Sequence, residues 1–136
     1  MIDAVFVNRS RAAGRIPRIV INKTLRRAER LYGSRLTNKH LAVVFVSTSE
    51  IKSLNRSYRG KNRATNVLSF TAAESQELGD IIICPAIAAA EARGADQSFT
   101  GYVNYLFIHG LLHLLGFDHN NAAAAMAMAR AEKRLI

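Results

Sequence analysis

The segment His109-Gly110-Leu111-Leu112-His113-Leu114-Leu115-Gly116-Phe117-Asp118-His119 carries three of the chain's four histidines. Residues four apart on a helix share a face, with Cβ atoms about 5–6 Å apart. His109 and His113 can therefore chelate one ion. Gly116 then breaks the helix, and the turn that follows lets His119 reach the same ion. Three imidazoles leave a fourth position for water, which is the pattern of a catalytic zinc site, whereas structural zinc usually has four protein ligands. As ordinary core histidines, three imidazoles in apolar surroundings would each need a hydrogen-bond partner. One metal ion meets that need more simply. The expected cofactor is one zinc ion per chain, although nickel, copper and iron also suit three imidazoles.

The same spacing occurs in the metzincin proteases, H-E-x-x-H-x-x-G-x-x-H, whose general base is the Glu after the first His. Gly110 stands at that place and cannot take a proton. A zinc peptidase is therefore disfavoured. Asp118 is left either to act as a base or to orient His119 from behind, and the second role is preferred.

Elements that position these histidines follow from hydrophobic period and breakers. Residues 2–7 read as a strand. A helix over 18–32 follows Pro17, with Gly33 as its stop. Residues 41–46 form a buried strand, and Ser47 or Thr48 caps a helix that ends near Tyr58. A basic loop spans 59–65. Residues 67–70 and 81–84 are further strands, with 72–79 as a connection. A helix over 85–93 ends at Gly94, and a buried helix spans 102–115. Asn120 or Asn121 caps a last, Ala-rich helix. The expectation is an α+β fold: about four strands, about five helices and a metal site at the end of the buried helix. Residues 1–136 read as a single domain. Strand order is not legible from the pattern. Residues 97–117 lack Asp, Glu, Lys and Arg. Their strongly apolar part is too short to span a bilayer and holds two histidines, so a buried helix is expected there and no membrane.

Charge points to the partner. The chain carries a net +9, and residues 1–63 hold 15 Lys and Arg against Asp3, Glu29 and Glu50. A basic region of this size attracts polyanions by releasing counterions. Nucleic acid is preferred over a merely solvated surface. Arg26, Arg27 and Arg30 fall on the face of the first helix opposite Ile21, Leu25 and Ala28. They are candidates for RNA contact, although a solvated face is the commoner reason for such a stripe. The one cysteine, Cys84, allows no internal disulfide and is read as core. With no signal peptide expected, these features favour the cytosol.

The histidine segment resembles the H-G-x-L-H-L-x-G-x-D-H signature of the YbeY family of ribosomal-RNA maturation endoribonucleases. Three further blocks resemble that family, in its order: Leu54-Asn55-Arg56-Ser57-Tyr58-Arg59-Gly60-Lys61, Thr65-Asn66-Val67-Leu68-Ser69-Phe70 and Gly79-Asp80-Ile81. The resemblance implies a metal-dependent, single-strand-specific endoribonuclease in rRNA processing. It implies 3′-end maturation of small-subunit rRNA and ribosome quality control, with RNA and the small subunit as partners and no DNA. It places Arg59 in the active site, where a planar guanidinium can hold two phosphate oxygens. Lys61 and Arg63 become candidates for the substrate track. Asn66, Ser69 and Asp80 are expected to order the sheet edge beside the metal. The nucleophile stays open between water activated by the metal and the RNA 2′-hydroxyl. A non-catalytic ribosome-assembly factor with a structural metal is the rival reading. Two places depart from the family: Asn62 and Asn66 stand where Asp is usual.

Overall fold

A computed structural model describes residues 1–10 and 16–136. Arg11 and Arg15 of the basic region lie outside the described residues. The elements run β1 (Asp3–Asn8), α1 (Arg18–Leu36), β2 (His40–Phe45), α2 (Thr48–Arg59), β3 (Val67–Thr71), β4 (Glu77–Ile83), α3 (Pro85–Gly94), α4 (Phe99–Leu114) and α5 (Ala122–Leu135). One sheet has the order β1-β2-β4-β3. β1, β2 and β4 are parallel, and β3 closes the edge antiparallel to β4.

Side chains alternate along a strand, and that alternation divides the core in two. Leu41, Val43 and Phe45 of β2 join Ile81 and Ile83 of β4 on one face, packed with α1, α4 and α5. Val44, Val46, Ile82 and Cys84 lie on the opposite face with Ile51 of α2 and Leu68 of β3. α4 is the central helix, burying Val103, Leu106, Phe107, Ile108, Leu111, Leu112 and Leu114. The α+β fold, with four strands and five helices among the described residues, is as expected. No helix among the described residues is long and apolar enough to cross a membrane.

Several boundaries differ from the sequence pattern, each for a tertiary reason. α1 runs to Leu36 but kinks at Tyr32 (φ −124°, ψ 22°), where the sequence pattern ends the helix, and the turn beyond the kink carries Leu36 into the core, where it is fully buried. α4 begins at Phe99 rather than Tyr102, since Ser98 caps it by accepting the Gly101 N–H at 3.0 Å. β4 begins at Glu77, which pairs with His40 of β2, while Gly79 pairs with both Leu41 of β2 and Thr71 of β3, so residues 77–79, read as connection, join the strand. Cys84 follows that strand as the residue before α3, and it is fully buried.

Candidate metal centre

Three local devices bring the histidines together. The first is the α-helical spacing of His109 and His113, whose rings stand 4.6 Å apart between centroids. The second is the seat of α4 on the sheet. A Cβ on buried Gly110 would come within 2.9 Å of Ile81 Cγ2, so the helix lies so close to β4 that a side chain there would have to displace Ile81. The third is the turn after α4. Gly116 takes φ +97°, its N–H donates to His113 O at 3.0 Å, and the Phe117 N–H donates to Leu112 O at 3.0 Å. That pair of bonds is a Schellman motif, which reverses the chain after a helix. Phe117 packs edge-on against Tyr32, with centroids 6.2 Å apart, and the Arg35 guanidinium donates to Leu115 O. Asp118 Oδ1 accepts the Asn120 N–H at 3.2 Å, and Asn121 Oδ1 then caps α5. His119 is carried back over the helix end by this sequence of bonds.

One ligand nitrogen from each of His109, His113 and His119 lies within 4.8 Å of the others. His109 Nε2 and His113 Nε2 are 3.1 Å apart. Two nitrogens about 2.05 Å from a tetrahedral ion stand about 3.3 Å apart, so the His109–His113 pair has the spacing that one ion needs, with the His119 nitrogen beside it. Burial holds His113 below the usual imidazole value, helped by His109, His119 and Arg59, while a bond with the Phe117 backbone opposes the shift. That keeps the ring neutral, the form a metal requires. Glu132 Oε1 of α5 lies 3.4 Å from His109 Nδ1. A carboxylate behind a ligand histidine fixes the tautomer that leaves Nε2 for the ion.

The facing wall comes from α2 and β3. Asn55 is only 3% exposed, and its Nδ2 donates to Arg63 O at 3.0 Å, which pins the loop after α2. Arg59 Nη2 donates to Ser69 O at 3.2 Å. Arg59, Lys61 and Arg63 line a cleft of about 540 Å³ together with Asn66, Asp118 and the three histidines.

A family model for Endoribonuclease YbeY matches residues 12–136. The chain belongs to the YbeY family. It is 43% identical over 101 residues to Endoribonuclease YbeY of Pseudoalteromonas translucida, covering 71% of this chain and 66% of the relative. The Rhizobium etli protein of that name is 41% identical over 103 residues, covering 71% and 60%. The Stenotrophomonas maltophilia protein is 39% identical over 111 residues, covering 75% and 69%. The matches thus span about two-thirds of the relatives' length. A solution structure of a Thermotoga maritima protein superposes with a TM-score of 0.62 at 27% identity, covering 96% of this chain and 89% of the other.

Set in this YbeY-family fold, the residues singled out by sequence divide into two groups. His109, His113, His119, Asp118, Arg59, Lys61 and Arg63 meet in the cleft. Arg26, Arg27 and Arg30 do not line it. Arg26 is ion-paired with Glu29 at 2.6 Å, and Arg27 donates to Leu135 O at 2.9 Å, tying α1 to α5. Asn66 and Ser69 line the cleft, but Asp80 projects from the opposite face of the sheet with Ile82. The place of Asn66 has a local reason. Its Nδ2 donates to Glu91 Oε1 at 3.0 Å, which also accepts the Tyr102 hydroxyl at 3.1 Å. An aspartate there would set two carboxylates together.

Sequence reasoning missed Asn55, Arg35 and Glu132. Asn55 had a signal, since it stands one turn from Ile51 on the buried face of α2. Glu132 neighbours the buried stripe Met128, Ala131 and Leu135, a stripe the surrounding alanines obscure. Arg35 had none.

Proposed function

We propose that this chain is a metal-dependent endoribonuclease that cuts single-stranded RNA in the cleft between α4 and β3. The observation that carries the reading is the opposition of two chemistries across one cleft: three converging imidazoles on one wall and Arg59, Lys61 and Arg63 on the other. The naming of its relatives as endoribonucleases supports it. The rRNA role proposed is maturation of the small-subunit 3′ end and ribosome quality control, in the cytoplasm.

His109, His113 and His119 would hold the ion, with zinc the proposed metal. When bound, it supplies Lewis acidity beside the scissile phosphate. Arg59 presents a planar fork that holds phosphate oxygens and stabilises the charge that develops on them. Lys61 and Arg63 attract the flanking backbone. Asp118 braces the turn that carries His119. Gly110 rules out the protease base at its usual place, and a side chain there would collide with Ile81.

Incubating the metal-loaded protein with single-stranded RNA, duplex RNA and an unfolded protein, with and without chelator, tests the reading. Chelator-sensitive cleavage of the single strand is expected. Cleavage of the protein alone would replace ribonuclease with peptidase. Unfolding on metal removal, with no cleavage by the loaded protein, would favour a structural metal in an assembly factor.

A further inference from the structure

We propose that the groove on the other face of β3 holds an unpaired nucleobase of the RNA strand leaving the metal cleft. The inference rests on the ribonuclease reading and names a second subsite for its substrate. Tyr58, next to Arg59 in α2, leaves 69% of its surface in water. Its ring tilts against Phe70, with centroids 5.2 Å apart. The two rings edge a groove of about 480 Å³ whose floor is Val44, Leu54 and Ile82. Arg9 and Asp80 stand at its rim, and Arg9 is paired with Glu50 at 3.0 Å.

Continuity with the metal cleft identifies the occupant. Thr71 lines both clefts, and β3 is the edge strand, so a chain can pass around it. Arg59 sits at the crossing: it donates to Ser69 O and lies 6.0 Å from the Phe70 ring centre. A phosphate resting on Arg59 leaves the neighbouring base beside Tyr58. Every base has a π-face, and stacking on an aromatic side chain is how single strands are held without pairing. A duplex cannot offer that face. Asp80 accepts hydrogen bonds only, so it favours a base edge that donates, such as the amino groups of adenine, cytosine or guanine.

Stopped-flow mixing of the metal-loaded protein with a short single-stranded RNA carrying 2-aminopurine tests this subsite. Wild type is expected to quench the probe on binding. Tyr58→Ala is expected to lose the quench and to bind about five- to a hundredfold more weakly, in line with one lost base stack. Tyr58→Leu keeps an apolar contact with Phe70 and is expected to fail like alanine. Tyr58→Phe is expected to recover what alanine loses. If both Ala and Leu variants quench and bind like wild type while wild type cleaves RNA, the subsite is overturned and the ribonuclease reading stands. If wild type neither binds nor cleaves the RNA, both readings fall together.

Discussion

The two walls of the cleft are built by different means. The α4 wall is local: 11 consecutive residues, His109 to His119, hold all three histidines, and helix spacing and one Schellman turn bring them together. The α2–β3 wall is assembled from separated pieces. Asn55 reaches Arg63, Arg59 reaches Ser69, and Asn66 reaches Glu91. The first wall is half-buried at His109 and His113, while Arg59, Lys61 and Arg63 are exposed. A rigid, locally encoded wall suits an ion that demands fixed geometry. An exposed, basic wall suits a polymer that must arrive and leave.

That division can be broken by variants that act on one wall alone. His113→Ala should weaken metal binding more than about a hundredfold, since even partners behind a ligand are worth ten- to a hundredfold. Equilibrium competition with a chromophoric chelator reads it, and RNA cleavage should vanish with the metal. Arg59→Ala should lower kcat/KM on single-stranded RNA by about 10²–10³, the scale of one lost charge-stabilising donor. Its metal content should match wild type. Metal lost from that variant would join the two walls into one unit.

Smaller effects sharpen the same contrast. Glu132→Ala should cost about ten- to a hundredfold in metal affinity if it fixes the His109 tautomer. An unchanged affinity would make the 3.4 Å contact incidental. Gly110→Ala should destabilise the fold by about 1–3 kcal/mol, because the new methyl must displace Ile81. Urea unfolding measures it. The last effect is pH-dependent. His113 in the folded chain titrates below the usual 6.5, so between those values the unfolded chain binds more protons. Stability is in full force above about 6.5 and falls as pH drops through the folded value. The metal-free protein should lose melting temperature as pH falls below about 6.5, and His113→Gln should lose less of it.

Legibility in the sequence follows the same line. The histidine wall could be read because all its determinants are short-range: i to i+4 spacing, a breaking glycine and a returning turn. Helices and strands with strong period were legible too. What escaped depended on partners far along the chain. Leu36 carries α1 beyond its kink because the core buries it, and Glu77 joins β4 through its pairing with His40 of β2. Glu132 comes to His109 only through the packing of α5 on α4. The α1 stripe shows the converse. Composition counts Arg26 and Arg27 alike as basic, yet in the fold Arg26 is paired with Glu29, while Arg27 keeps its charge and ties α1 to the Leu135 carbonyl.

In the function proposed above, an ion held by His109, His113 and His119 makes this cleft a ribonuclease. Stepwise removal of metal from the purified protein, with bound zinc and single-stranded RNA cleavage followed in the same samples, tests it most directly. The two are expected to fall together from one ion per chain to none and to return together on readdition. Cleavage that persists after the last ion has gone would contradict it.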